Sequence, residues 1–560
     1  MGEATGEAGS GAKAKHHAVA LGAHPRVAEP LTSFGAHEEL QLLLVLLSAA
    51  VLMLLAEPLR IPYPILLVLG GLGLGFAPGV PALTLPPDVV LVGILPPLLY
   101  LSAFNTGLRE LRRNLRPISL LALGLVAATT VVVAAVAHAV IGLSWPAAFV
   151  LGAVVSPTDP IAATAIGRRL GVPRRPLAVI EGESLVNDGS ALVLFKFAVA
   201  AVVTGSFSLM HATASFVWTV VGGIAVGLAI GYVIRRVRRR LDNPPLEVMI
   251  AFLTGYVAFL PASAIGASGV LAVVTAGVYM GWHTPELTTV DTRLQGEGFW
   301  TIFSFLLNAL LFGLVGLQLH PILNGLTGHS ARQLVGYAAL VAALVIVSRI
   351  VWVFPSTYLP RWLFRRVRER DPSPPWQQPA FVAWSGMRGA VTLAAALAIP
   401  LRTHAGAAFS DRGLIVFLAF CVVLATLVVQ GLSLPLVIRA LGLEEDVQME
   451  RKEEAKARVR GAEAALARLD ELVEEDWVRP DTAERMRGLY RFRINRFSEP
   501  YHGGDGSIEL QSLAYQRLRR ELLEAERHAV VALRNEGRIS DDVMRKVERD
   551  LDLEDSRLDI

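Results

Sequence analysis

The stretch that decides the fold is Ser-Pro-Thr-Asp-Pro at residues 156–160, which interrupts an apolar run at 145–167. Such a run is long enough to cross a bilayer, which takes about 20 apolar residues. An ionisable side chain at that depth costs about 2.5–3.5 kcal/mol on insertion scales, so it requires an explanation. Two prolines remove two backbone donors, and the freed carbonyl groups can then face an ion site, as in discontinuous transporter helices. The stretch predicts a broken helix with Asp159 at the break, rather than a simple kink.

The composition of the whole chain favours a membrane protein. Hydrophobic residues make up 53% of its 560 residues, charged residues make up 18%, and the mean hydropathy is +0.49. Strand-like alternation is absent from the sequence, so we predict an all-α polytopic fold. Thirteen candidate spans can be read along the chain, at residues 39–57, 61–79, 88–107, 117–140, 145–167, 177–204, 213–234, 245–261, 265–282, 298–319, 332–354, 379–400 and 412–440.

Charge is concentrated at the C-terminal end of the chain. Residues 441–560 carry 22 Lys/Arg and 29 Asp/Glu, against 30 and 20 in residues 1–440, so the net charge of +3 is a near-cancellation and indicates no nucleic-acid partner. The tail composition is typical of exposed helices with i,i+4 ion pairs. We predict a disordered extracytoplasmic leader at 1–38, a transmembrane domain at 39–440 and a soluble helical tail at 441–560. The single cysteine, Cys421, excludes a disulfide framework.

The arginines of the connections are unevenly distributed. Alternate connections hold twenty arginines, which lie at residue 60, at 109–116, at 168–175, at 235–240, at residue 293 and at 361–370. The intervening connections hold three. Cytoplasmic loops of membrane proteins carry the excess of Lys and Arg. The pattern predicts a multi-pass protein of the plasma membrane, with the lipid bilayer as a partner, an N-terminus outside and a cytoplasmic C-terminus.

The sixth span opens with Glu-Gly-Glu-Ser-Leu-Val-Asn-Asp-Gly at residues 181–189. On a helix Glu183 and Asn187 share one face, and Ser184 and Asp188 share a second face about 100° away. One face can hold a structural polar cluster, while the other presents a hydroxyl and a carboxylate, the oxygen ligands that hard cations prefer. Acidic residues are ordinary near a helix N-terminus, but Asp188 lies too deep in the span for that explanation.

The twelfth span contains Trp-Ser-Gly-Met-Arg-Gly-Ala at residues 384–390, an arginine between glycines inside an apolar run. Glycine permits close backbone approach or local unwinding, and a buried arginine requires a carboxylate. We expect Arg388 to pair with Glu183, which leaves Asp188 unpaired. Arg349 in the eleventh span also requires a partner, which the sequence does not identify.

These three motifs, in this order, resemble those of the bacterial sodium/proton antiporters of the monovalent cation:proton antiporter-1 family, the NhaP-like relatives of animal sodium/proton exchangers. The resemblance covers residues 40–440. It rests on Thr-Asp-Pro at 158–160, on the Glu-Ser and Asn-Asp pairs at 183–188 and on Gly-Met-Arg-Gly at 386–389. Each motif alone is weak, whereas the ordered set on spans of the right spacing is specific.

The resemblance implies about thirteen transmembrane helices with inverted repeats, two crossed discontinuous helices, a mobile core domain and a homodimeric scaffold domain. It also implies site roles. Asp188 would bind the monovalent cation and the proton in turn, in an ion site lined by Thr158, Ser184 and Asp159. Asn187 and Asp159 would hold the crossed helices together. Arg388 and Glu183 would form the buried pair.

One position departs from the family pattern. Members often carry an acidic residue just after the aromatic that corresponds to Tyr100, and this chain has Leu101 there. A cation ligand from the third span would then come from a neutral side chain, with Ser102 and Asn105 as the candidates.

The predicted function is secondary active antiport of protons against monovalent cations, with sodium as the expected cation and pH and sodium homeostasis as the purpose. A core that rearranges only when Asp188 is neutralised, by either ion, would exchange the two obligatorily, because a bare charge is costly to carry through a dry barrier. The resemblance implies that members with Asn before the essential Asp are electroneutral, so a 1:1 exchange is expected. We predict no cofactor and no enzymatic activity.

Two other functions stay open from the residues alone. Asp159 and Asp188, on neighbouring spans, could form the dyad of an intramembrane aspartyl protease, which requires both carboxylates within hydrogen-bond reach. The Gly-x-Gly-Asp signature of such proteases is missing from the sequence. Alternatively, Arg388 could bind the substrate of an organic anion transporter, which requires that its side chain be exposed to a cavity.

Overall fold

The computed structural model describes residues 47–48, 50–52, 54–55, 58, 62–77, 86–204, 209–324, 326, 328–403, 406–443, 447–498, 507–556 and 558. In this part of the chain the regular elements are helices, and extended pairing is limited to an isolated bridge between Arg402 and Ala408. The all-α prediction is therefore confirmed. The predicted leader at 1–38 lies outside the described residues.

The helices of the apolar region are numbered α1 to α17 in chain order. The first six are α1 Tyr63–Gly75, α2 Val89–Asn105, α3 Leu108–Arg113, α4 Leu115–Ile141, α5 Trp145–Val155 and α6 Ile161–Arg169. The next six are α7 Arg174–Thr204, α8 Leu209–Arg238, α9 Pro244–Ala264, α10 Gly269–His283, α11 Val290–Leu317 and α12 Leu319–Asn324. The last five are α13 Ala331–Leu363, α14 Arg365–Arg370, α15 Gln377–Trp384, α16 Ala390–Leu397 and α17 Arg412–Leu441.

Twelve of the thirteen predicted spans coincide with these helices. The first, 39–57, falls mostly outside the described residues, so the count of thirteen stays a prediction. Among the described residues, seven helical segments are long and apolar enough to cross a membrane, namely Leu115–Ile141, Arg174–Thr204, Thr213–Arg238, Pro244–Ala264, Val290–Leu323, Ala331–Leu363 and Arg412–Leu441. The chain is thus a multi-pass membrane protein.

Two helices are broken where the sequence predicts it, and the two breaks touch. Residues 156–160 separate α5 from α6, and residues 385–389 separate α15 from α16. The backbone N–H of Asp159 donates a hydrogen bond to the carbonyl of Met387 over 2.8 Å. The predicted pair of crossed discontinuous helices is therefore present, whereas the inverted repeats stay a prediction.

Two apolar clusters flank this crossing. The larger one joins α4, α5, α11, α13 and α17, and its fully buried side chains include Phe312, Phe381 and Phe420. The smaller one joins α2, α9 and α10 around Tyr100 and Met280. A cavity lies where α2 and α11 face the crossing and α7.

A charged cluster joins the ends of several helices outside the apolar region. The carboxylate of Asp371 accepts hydrogen bonds from Arg116 (2.9 Å), Arg175 (2.6 Å) and Arg361 (2.7 Å). Partial burial works to raise the pKa of Asp371, but the hydrogen bonds and charges of Arg175 and Arg361 outweigh it and hold the pKa below its ordinary value. Three of the predicted basic connections therefore lie on one face of the molecule.

The tail is helical, as predicted. Its helices are α18 Val447–Leu472, α19 Pro480–Ser498, α20 Ser507–Asn535 and α21 Asp541–Ser556. Their surfaces carry ion pairs between residues one turn apart, for example Arg458 with Glu454 at 2.6 Å and Arg545 with Asp542 at 2.7 Å. Such pairs stabilise solvated helices modestly.

Candidate functional site

Asp159 lies where two helices begin. Its Oδ1 accepts a hydrogen bond from the backbone N–H of Ile161 over 2.9 Å, at the start of α6. Its Oδ2 packs against Gly389, the residue before α16, so closely that a Cβ on that glycine would lie 1.8 Å away. Helix N-termini carry partial positive charge and unpaired N–H groups, so both half-helices stabilise an ionised Asp159.

The second predicted face, Ser184 and Asp188, borders the cavity between α2, α7, α11 and the crossing. This cavity has a volume of about 420 Å³. Its lining includes all six residues predicted as ion ligands, namely Ser102, Asn105, Thr158, Asp159, Ser184 and Asp188. The side chains of these six residues carry oxygen atoms, which are the ligands that a hard monovalent cation prefers.

Asp188 is the buried acid of this cavity without a protein partner. It is 5% exposed, and within the described chain no hydrogen bond or ion pair joins its carboxylate to another residue. A buried carboxylate in that condition is costly unless a proton or a cation neutralises it. The prediction that Asp188 stays unpaired agrees with this geometry.

The first predicted face, Glu183 and Asn187, forms a polar cluster with the crossing. The Thr158 hydroxyl donates to Glu183 Oε1 over 3.1 Å, and Asn187 Nδ2 donates to Thr158 Oγ1 over 2.8 Å. Asn187 is fully buried and Glu183 is 1% exposed. The cluster therefore attaches α7 to the unwound segment between α5 and α6.

The expected pairing of Glu183 with Arg388 is wrong, because Glu183 pairs with Arg349. Arg349 Nη2 lies 2.8 Å from Glu183 Oε2, and Arg349 Nη1 bonds Oε1. Arg349 reaches Glu183 from α13 past Gly386, where a Cβ would lie 2.1 Å from Arg349 Cδ. The glycine in the break of the twelfth span therefore makes room for an arginine of the eleventh.

Arg388 instead binds backbone carbonyls that the breaks leave free. Its Nε donates to the carbonyl of Val155 over 3.1 Å, at the C-terminal end of α5, and its Nη1 donates to the carbonyl of Gly386. Helix C-terminal ends carry partial negative charge, so they can hold a fully buried guanidinium without a carboxylate. These backbone acceptors cannot be read from the sequence, where the side-chain acids are the visible partners for a buried arginine.

Sequence reasoning also missed residues from distant spans. The sequence predicted that Arg349 requires a partner, but it did not identify Glu183 as that partner. Tyr63 of α1, Thr392 of α16 and Asn308 of α11 line the cavity as well. A search for polar side chains inside apolar runs could have found Asn308, but it could not have placed it beside Asp188.

A second cavity of about 1,100 Å³ adjoins the first. The two share lining residues, including Tyr63, Leu101, Asn105 and Asn308. The larger one extends past a buried ion pair, Arg238 with Glu247 at 3.1 Å, to the connection between α10 and α11. Arg293 lies in the first turn of α11, next to that connection, and belongs to the predicted basic side.

Broken, crossed helices around a buried acid and an adjoining open cavity define a secondary ion transporter of the membrane. The family model described as "Sodium/hydrogen exchanger, transmembrane" matches residues 43–440 of the sequence, so the chain belongs to the sodium/hydrogen exchanger family. This confirms the resemblance that the three motifs indicate.

Individual proteins agree with that assignment. A Na⁺/H⁺ exchanger of Mycobacterium tuberculosis is 38% identical over 92% of this chain and 95% of its own. A sodium, potassium, lithium and rubidium/H⁺ antiporter of Bacillus pumilus is 33% identical over 83% of this chain and 71% of its own. The sodium/proton antiporter MjNhaP1 of Methanocaldococcus jannaschii has a similar fold, with a TM-score of 0.56 at 20% identity, over 72% of this chain and 99% of that one.

The two other functions gain no support. An anion transporter requires Arg388 at the cavity, yet this side chain is fully buried and bonds carbonyl groups. A protease dyad requires a hydrogen bond between Asp159 and Asp188, and in the described part of the chain Asp159 is instead bonded to its own loop. The family is one of transporters.

The ion pair gives a stability prediction. Arg349→Ala should lower the free energy of unfolding by about 3–5 kcal/mol, because Glu183 is left as an unpaired buried charge. Adding Glu183→Gln should recover part of that loss. The measurement is thermal unfolding in detergent, with Arg388→Ala, alone and combined with Glu183→Gln, as the matched control. If Glu183→Gln recovered stability in Arg388→Ala but not in Arg349→Ala, Glu183 would pair with Arg388 instead.

A second prediction concerns the contact of Asp159 with Gly389. Gly389→Ala should raise the sodium concentration for half-maximal exchange about tenfold or more, because the new Cβ must displace the carboxylate and misplaced groups in a site are costly. Gly336→Ala on α13 is the control, since nothing lies within 4 Å of its added Cβ. Exchange is measured as cation-induced dissipation of a pH gradient in proteoliposomes. An unchanged sodium requirement in Gly389→Ala would show that Asp159 need not hold this position.

Proposed function

We propose that this protein exchanges sodium ions for protons across the plasma membrane by alternating access, and that Asp188 binds the two ions in turn. The observation that carries this proposal is the state of Asp188, which is buried, borders the cavity and has no partner within the described chain. The nearby Glu183, by contrast, is neutralised by Arg349. The protein therefore leaves one carboxylate for the transported ions to compensate.

The remaining ligands come from three elements. Ser184 lies one turn before Asp188 on α7, while Thr158 and Asp159 come from the break between α5 and α6. Ser102 and Asn105 of α2 add neutral oxygen atoms beside Leu101. Because the cation and the proton neutralise the same carboxylate, binding of one excludes the other.

The sides of the membrane follow from the arginine distribution. We place the basic connections and the tail in the cytoplasm and the N-terminus outside. The larger cavity extends to Arg293 at the start of α11, on the predicted basic side, so we infer that this conformation is open to the cytoplasm. A movement of the crossing and α7 against α2 and α11 would then expose Asp188 to the other side.

Charge balance favours a 1:1 exchange. Asn187 does not titrate, Glu183 is held by Arg349, and two helix N-termini stabilise an ionised Asp159. Asp188 then remains as the group that changes its protonation during transport. One proton exchanges for one monovalent cation, and no net charge crosses.

Assembly and cation range complete the proposal. As the family resemblance implies, the protein works as a homodimer, which cross-linking in native membranes can test. Sodium is the expected substrate. The name of the Bacillus pumilus relative includes potassium, lithium and rubidium, so a panel of sodium, lithium, potassium and choline should be compared.

The central prediction is that Asp188→Asn abolishes exchange while the protein stays folded, because it removes the group that titrates. The measurement is sodium-dependent proton flux in proteoliposomes. The control is Asp88→Asn, the same change at an exposed position just before α2. Near-normal flux in Asp188→Asn would overturn the site assignment.

The charge balance predicts that transport ignores the membrane voltage. A voltage acts on any unbalanced charge with about 2.3 kcal/mol per 100 mV, so a different stoichiometry would be easily seen. Exchange should be measured in liposomes clamped with potassium and valinomycin at zero and at 100 mV of either sign. A final gradient that follows the voltage would mean that a second group carries protons, and Asp159 would be tested next.

A further inference from the structure

We propose that Asn308, on α11, supplies a neutral oxygen ligand to the transported monovalent cation in the cavity that Asp188 also borders. The inference rests on the proposed exchange function and adds a residue that determines its cation affinity.

The first observation is the position of Asn308. It lines both cavities, so it lies where the two cavities meet, a place that we call the neck. An ion that moves between the larger cavity and Asp188 passes through this neck. The neck is otherwise bordered partly by apolar groups such as Leu101 and the ring of Tyr63. An ion that enters it must lose part of its water, so a polar atom at this position has a disproportionate effect on binding.

The second observation is that the amide of Asn308 has no protein partner. The residue is 8% exposed, its Oδ1 is buried without a hydrogen bond, and within the described chain its Nδ2 makes none either. A buried, unpaired amide costs about 1–3 kcal/mol and is rare in native structures. Because no bond fixes the amide, rotation about χ2 can turn its oxygen toward an ion in the neck.

Neighbouring polar residues on the same helix differ from Asn308 in this respect. Ser304, one turn earlier, also lines both cavities, but its hydroxyl donates to the carbonyl of Thr301 over 3.3 Å. Gln318, the residue that follows the end of α11, donates to the carbonyl of Leu314 over 3.2 Å. The unpaired amide is therefore a property of this position and not of polar residues on α11 generally.

A neutral ligand also suits the charge balance. Leu101 removes a carboxylate that the family pattern often places near this point, so the ion has fewer charged ligands. An amide oxygen binds a hard cation without adding a group that titrates. Asn308 should therefore change the affinity for the cation and leave the affinity for the proton unchanged.

The test compares Asn308→Leu, which keeps the approximate side-chain volume and removes the oxygen, with the wild-type protein in proteoliposomes. The sodium concentration for half-maximal exchange should rise about tenfold, because a hydrogen-bond-like contact to a charge is lost. The rise should be the same factor at pH 7, 8 and 9, and the maximal rate should stay within about twofold, since the proton site on Asp188 is intact.

Two further variants separate a ligand from a packing role. Ser263→Ala, at an exposed position of α9 outside both cavities, should leave the sodium requirement unchanged. Asn308→Asp keeps an oxygen at the same position, so at pH 8.5 it should need no more sodium than the wild type.

A binding measurement covers the case in which transport by a variant is too slow to follow. Sodium chloride, compared with choline chloride, should raise the melting temperature of the detergent-solubilised protein, since a ligand of the native state stabilises it. The sodium concentration that gives half of this effect should rise about tenfold in Asn308→Leu. An unchanged sodium requirement in both assays, with only a lower melting temperature or rate, would overturn the proposal and leave Asn308 a packing residue.

The failure of this inference can be told from failure of the exchange function. If the wild type shows no sodium-dependent proton flux, or if Asp188→Asn retains it, the proposed function itself fails. If the wild type exchanges, Asp188→Asn does not, and Asn308→Leu has the wild-type sodium requirement, only the role of Asn308 is rejected.

Discussion

The structure depends on the crossing of two broken helices, joined by the hydrogen bond from Asp159 N–H to the carbonyl of Met387. The breaks create four helix ends inside the apolar region. Asp159 lies at the two positive ends, before α6 and α16, and Arg388 binds carbonyls at the two negative ends, after α5 and α15. Backbone dipoles thus favour the charged forms of both side chains without a further charged residue in the membrane.

The ion pair of Arg349 with Glu183 works beside this crossing and joins two uninterrupted helices, α13 and α7, through the gap at Gly386. Thr158 and Asn187 extend the pair to the unwound segment. Polar groups on one face of α7 are therefore satisfied within the protein. Asp188, one residue after Asn187 but on the other face, borders the cavity, so the helical period separates the ion-paired acid from the unpaired one.

The part of the cavity lining that comes from α2 and α11 is built differently. It contains Leu101, with neutral oxygen atoms at Ser102, Asn105 and Asn308 around it. The acids that line the cavity, Asp159, Glu181 and Asp188, come from the crossing and α7, whereas α2 and α11 contribute neutral groups. Such an arrangement keeps the number of titrating groups small, and it makes cation affinity depend on how closely the two walls approach.

The apolar spans, both helix breaks, the helical tail and the six residues around the cavity can be predicted from the sequence, because hydropathy, proline positions and the helical period are local properties. The sequence also separated Glu183 from Asp188 by face. Only the tertiary structure decided which arginine meets Glu183, since Arg349 lies 166 residues away along the chain and its approach depends on the absence of a side chain at Gly386. The partners of Arg388 could not be predicted from the sequence either, because backbone carbonyls are free to accept its hydrogen bonds only where a helix ends close to its side chain. Asn308 shows the same limit: its unpaired amide is defined by what surrounds it, and no local pattern reports that.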